Sequence, residues 1–76
     1  MTDNTVELYN ELLIEIGLTL ETCDSSITPI ICEYRKTPQN FENLRREIAK
    51  MVMKGKTIYQ ATLEIEREYG QTYMED

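Results

Sequence analysis

Apolar side chains recur at helical spacing in three separate segments of this chain, and glycines and prolines punctuate the sequence around them. The apolar residues of the first segment, residues 4–16, are Leu8, Tyr9, Leu12, Leu13 and Ile16. A spacing of about 3.6 residues predicts an amphipathic helix that packs on one side. Asn4 followed by Glu7 resembles a capping box, and Gly17 is placed to end this helix in a left-handed conformation.

The second and third segments have clearer ends. The second helix is expected to begin near Pro38 and to end at Gly55. Its apolar stripe consists of Phe41, Leu44, Ile48, Met51 and Val52. The third helix opens with Thr57 as N-cap and Gln60 three residues later, a Thr-x-x-Gln capping box, and Gly70 is its expected end. Its buried face is predicted to carry Ile58, Ala61, Thr62, Ile65 and Tyr69.

Residues 18–37 allow two interpretations. Thr28 and Pro29 can cap and begin a short helix over residues 30–36, since proline is favoured at the first helical position. The strand-like alternation of residues 18–23 and the β-branched residues after position 26 instead suit a short β-hairpin. We favour the short helix, because an isolated two-stranded hairpin is marginally stable in water.

A chain of 76 residues can bury a single core. We therefore predict an all-α fold, a small bundle of three to four helices. The whole chain, 1–76, forms one helical domain, with residues 71–76 as a frayed C-terminal tail. So small a core is close to marginal, and a homodimer is one way to complete it.

The expected location is the cytoplasm. No segment approaches the roughly 18–20 uninterrupted apolar residues of a membrane helix, and the N-terminal residues are acidic, unlike those of a signal peptide. Cys23 and Cys32 are the two cysteines of the chain. In the cytoplasm they would stay reduced, as small and partly buried thiols.

The absence of histidine argues against catalysis. Histidine is the commonest general base and the commonest metal ligand, and neither the serines nor the cysteines have one to activate them. Acid pairs such as Glu11 and Glu15 have helical spacing but no evident desolvated cleft that would give them separate acid and base roles. We expect no enzymatic activity, no cofactor, no metal and no small-molecule substrate.

Charge is distributed in blocks. Residues 1–34 hold seven acidic side chains and no Lys or Arg, residues 35–56 hold seven basic and two acidic, and residues 57–76 hold one basic and five acidic. The block charges are −7, +5 and −4, which sum to the net charge of −6. Such segregation bears on partners more than on fold.

These blocks define two candidate binding surfaces. The residues expected to bind a protein partner are the acidic ladder Glu7, Glu11 and Glu15 together with an apolar edge formed by Met53, Tyr59 and Leu63. The candidate phosphate-binding residues are Arg45, Arg46, Lys50 and Lys54. Solvated faces are the commoner role of such ladders, and packing under residues 18–37 is an equal alternative for the edge.

The function expected from this pattern is that of a small acidic protein–protein interaction module. It would act as a regulator, adaptor or inhibitor of a larger assembly, and the accessory proteins of phages and mobile elements offer an analogy in size and charge. The alternative is a small helical DNA-binding regulator that contacts phosphates through the basic helix 38–54. The overall negative charge makes nucleic acid the weaker expectation.

Overall fold

Four helices follow one another along the chain in the computed structural model. They are α1 (Thr2–Thr22), α2 (Pro29–Tyr34), α3 (Pro38–Met53) and α4 (Ile58–Met74). The structure describes the backbone of residues 2–74 and the side chains of residues 4–68. Within residues 2–74 there is no strand, so the predicted all-α bundle is confirmed.

Helix α1 is longer at both ends than predicted. It begins at Thr2, so Asn4 lies inside the helix and does not cap it, and it passes through Gly17. The helix continues because Leu20, one turn beyond Ile16, enters the core with it, and both side chains are 0% exposed. It ends at Thr22, and the next residue, Cys23, takes the left-handed conformation (φ 55°) that was assigned to the glycine.

Residues 18–37 contain the short helix and not the hairpin. The first five of these residues belong to α1, and α2 follows a turn over residues 23–28. In that turn the Asp24 side chain accepts a hydrogen bond from the Ser26 backbone N–H at 2.8 Å. Thr28 is extended and precedes Pro29 in the first turn of α2, as predicted, but its side chain makes no capping hydrogen bond. The helix ends at Tyr34, two residues before its predicted end. Residues 18–22 do not form a strand because they continue α1, where Leu20 is buried in the core.

The two cysteines form a disulfide, so the expectation of free thiols is wrong. Cys23 follows the last residue of α1, Cys32 lies within α2, and their Cα atoms are 6.0 Å apart. The bond closes a short loop that carries Ile27 and Ile31 into the core. Disulfides persist mainly in oxidising compartments, so this bond counts against the cytoplasmic location, which stays a prediction.

The predicted boundaries of α3 and the start of α4 are confirmed. Pro38 is the first residue of α3, and Gly55 follows its end with a φ of 106°. The Thr57 hydroxyl accepts a hydrogen bond from the Gln60 N–H, and the Gln60 side chain accepts one from the Thr57 N–H, both at 3.1 Å. Helix α4 does not end at Gly70 but continues to Met74. The last two residues of the expected tail 71–76 lie outside the described residues.

Helix α3 packs against α1 and α4, α2 packs on α4, and all four helices contribute to the core. The buried apolar residues of the core are Ile16, Leu20, Ile27, Ile31, Leu44, Ile48, Ala49, Ala61 and Ile65. The predicted stripes of α3 and α4 lie in this core or against it, except that the side chain of Tyr69 lies outside the described part. Leu8 is a correction, since it is 49% exposed. Buried Thr62 places its hydroxyl 3.0 Å from the Ser26 carbonyl oxygen, which joins α4 to the disulfide loop.

The capping box gives a first prediction. We expect Thr57→Ala to lower the free energy of unfolding by about 1 kcal/mol, because the Gln60 N–H loses its acceptor at the start of α4. Thr57→Ser retains the hydroxyl and is the matched control. Urea unfolding followed by circular dichroism measures both, and equal midpoints for the two variants would contradict the assignment.

Candidate functional site

One side of α1 faces solvent and carries both apolar and acidic residues. Ile14 and Leu18 are 63% and 59% exposed, although they are two of the larger apolar side chains of the helix. They lie two positions before the fully buried Ile16 and Leu20, and two positions on an α-helix are about 200° apart. The side that carries Ile14 and Leu18 therefore points away from the core. We call it the outer face of α1.

The acidic ladder lies on this outer face. Glu7, Glu11 and Glu15 are exposed, as is Glu21 near the end of the helix. Among the side chains of residues 4–68, no Lys or Arg lies within 4.0 Å of these carboxylates. The acidic charge of α1 is therefore not neutralised by the described part of the molecule.

The basic ladder of α3 is only partly available. Arg46, Lys50 and Lys54 are exposed, as predicted. Arg46 and Lys50 line a cleft of about 370 Å³ between α3 and α4, but Glu47 and Glu68 line the same cleft. A phosphate that entered this cleft would meet carboxylates as well as cations.

Arg45, the fourth predicted phosphate-binding residue, lies beside this ladder, but it is partly buried and already paired. Its Nη2 atom donates to both carboxylate oxygens of Glu42, at 3.0 and 3.1 Å. Its side chain also lies across Gly17 of α1, where an added Cβ would come within 3.3 Å of the Arg45 Cδ atom. Arg45 therefore packs between α1 and α3, and a side chain at position 17 would require it to shift by a few tenths of an ångström.

The apolar edge is divided between two helices. Met53 ends α3 and is 37% exposed, whereas Tyr59 lies in the first turn of α4 and is 50% exposed. Leu63 is partly buried and lines a second cleft, of about 290 Å³, beside the Lys56–Glu64 ion pair. Met53 and Tyr59 are therefore exposed to solvent, whereas Leu63 is partly buried, and a shared apolar edge stays a prediction.

The apolar pair of the outer face was missed in the sequence. Leu18 was assigned to a strand-like alternation, and Ile14 fell outside the stripe that predicted the core side of α1. The spacing of Glu7, Glu11, Ile14, Leu18 and Glu21 contains the missing signal. These positions are separated by alternating steps of four and three residues, the spacing of a seam along which a second helix packs.

Two further features of the described residues bear on function. No three His, Cys, Asp or Glu side chains in this part converge in a group that could hold a metal ion. None of the described helices combines the length and apolar composition that crossing a membrane requires.

Comparisons with known proteins add no relative. No protein-family model matches this chain, and neither the curated proteins nor the solved structures give a match.

Proposed function

We propose that this chain is a small non-enzymatic protein–protein interaction module that docks through the outer face of α1. The observation that supports this most is the exposure of Ile14 and Leu18 in the middle of an acidic helix face. Two adjacent large apolar side chains lose favourable burial when they face water, and a partner that covers them would recover it. Flanking charges would then steer and select that partner.

The proposed role is that of a regulator, adaptor or inhibitor of a larger assembly. A domain with one small core and no histidine is better suited to binding through its surface than to catalysis. The segregated charge of the chain supports a role in selective association, because charge patterns mainly set association rate and specificity. The proposed location remains the cytoplasm.

A crosslinking experiment tests this proposal. A photoreactive amino acid placed at position 18 should give a discrete adduct with another protein in cells that express the chain. The same amino acid at position 59 is the matched control, because Tyr59 is also about half exposed but lies on α4. We expect Ile14→Ser to reduce the adduct from position 18. An adduct that forms from position 59 and not from position 18 would move the docking surface to the apolar edge.

The alternative, a DNA-binding regulator, has weaker support. Three of the four proposed phosphate contacts are exposed, but Arg45 is engaged by Glu42 and the cleft beside Arg46 contains Glu68. We expect no retention on heparin or duplex DNA at about 50 mM salt, where phosphate contacts are strongest. A gel shift that disappears in the variant Arg46→Glu/Lys50→Glu would instead support the alternative.

A further inference from the structure

We propose that the partner of the outer face of α1 is a basic amphipathic helix of another protein, which inserts a Lys or Arg side chain between Ile14 and Leu18. This inference rests on the proposed function and names the chemistry of its partner. The spacing, the exposure and the charge of the residues on the outer face support this inference.

Four residues of the outer face form one recognition element. Glu11, Ile14, Glu15 and Leu18 occupy positions i, i+3, i+4 and i+7, which surround a hole of the kind that receives a knob from a facing helix. All four are exposed. Two corners of the hole are apolar and the other two are carboxylates, so an entirely apolar knob would leave both carboxylates without a partner.

A lysine or arginine side chain satisfies both kinds of corner. Its aliphatic stem packs on apolar surface while its charged end stays near water. Placed in this hole, the stem would contact Ile14 and Leu18, and the cation would lie beside Glu11 and Glu15. The seam continues to Glu7 on one side and to Glu21 on the other, about 21 Å at 1.5 Å per residue. A partner helix of about four turns would therefore meet further carboxylates at each end.

A second copy of this chain fits less well. Helix α1 of another copy cannot supply a basic side chain, because residues 1–34 contain no Lys or Arg. The basic ladder of α3 in another copy presents Arg46, Lys50 and Lys54, but Glu47 and Glu68 line the cleft beside Arg46 and Lys50. Two copies also carry a net charge of −6 each, which opposes their approach. These features favour a basic segment from a different protein.

The test uses the full chain and a synthetic probe. The probe is an acetylated and amidated helical peptide of about 18 residues that alternates Lys and Leu at four- and three-residue spacing. A second peptide carries Glu in place of each Lys. Isothermal titration calorimetry should detect binding of the Lys peptide only, and affinity should fall as salt rises from about 50 to 300 mM.

Three variants show where the Lys peptide binds. We expect Ile14→Ser/Leu18→Ser to weaken binding at least about tenfold, since burial of the stems is lost. Glu11→Lys/Glu15→Lys should lose the Lys peptide and gain the Glu peptide, an exchange that also shows that the variant is folded. Met53→Ser/Tyr59→Ser is the matched control and should stay within about twofold of the parent chain.

Several results would overturn the inference. It fails if the parent chain does not bind the Lys peptide, if the Ile14→Ser/Leu18→Ser variant binds it as tightly as the parent, or if the charge exchange does not reverse the preference. It also fails if sedimentation shows self-association that Glu11→Lys/Glu15→Lys abolishes, because a second copy would then occupy the face. If position 18 still crosslinks to a cellular protein while the Lys peptide does not bind, the proposed function stands and this inference alone is wrong.

Discussion

Removing the disulfide should lower the free energy of unfolding by about 2.5 kcal/mol. The bond joins residues that are nine positions apart, and closing a loop of that length in the unfolded chain accounts for a stabilisation of this size. For a domain of this length, such a loss corresponds to a fall in Tm of more than about 10 °C. Thermal unfolding of Cys23→Ser/Cys32→Ser beside the parent chain measures it.

The loss should be concentrated at one end of the bundle. Helix α2 has six residues, which is too short to be stable alone, so it depends on the disulfide and on its packing against α4. Hydrogen exchange should therefore accelerate most in residues 24–34, while the protection of α3 changes least. Reductant is the internal control, because it should destabilise the parent chain and leave the Cys→Ser variant unchanged. Equal melting of the parent with and without reductant would show that the bond does not form in solution.

Helix boundaries could be predicted where a cap left a local signal. The Thr57–Gln60 capping box, Pro38 and Gly55 mark ends that depend on neighbouring residues only, and all three are where the sequence placed them. Gly17 and Gly70 carried the same signal but lie inside helices. At Gly17 the reason is tertiary: the helix continues because Leu20, three residues later, is buried in the core, and no local pattern predicts that burial.

The disulfide and the outer face of α1 were missed for related reasons. Pairing of Cys23 with Cys32 depends on the turn that brings α2 back toward the end of α1, and spacing alone does not fix that turn. Exposure of Ile14 and Leu18 depends on which of two apolar sides of α1 faces the core. Periodicity identified one side correctly through Ile16, but it gave no role to apolar residues on the other.

The acidic residues of α1 and the basic block of residues 35–56 differ in how many of their charged side chains form ion pairs within the molecule. The basic block contributes Arg45 to packing, and each of the three ion pairs found among residues 4–68 uses a cation from that block. The ladder Glu7, Glu11 and Glu15 has no such partner in the described part. Within the described part, the acidic ladder of α1 is therefore unpaired, and it lies beside the exposed apolar pair Ile14 and Leu18.

The same substitution, isoleucine to alanine, can be made at Ile48 and at Ile14. Comparing the two variants tests whether the molecule divides into a core and a docking face. Ile48 is 0% exposed in the middle of α3, so Ile48→Ala should cost about 2–5 kcal/mol through lost burial and the cavity left behind. Ile14 is 63% exposed, so Ile14→Ala should change stability by less than about 0.5 kcal/mol. Both changes remove the same atoms from a helix, and urea unfolding measures both.

A large loss of stability in Ile14→Ala would mean that the residue is already buried in the free protein, in an oligomer or in a different packing of α1. A small loss at Ile48 would contradict the assignment of α3 as the centre of the core. If the expected difference is found, Ile14 contributes little to the isolated chain, and its apolar surface remains available for a partner.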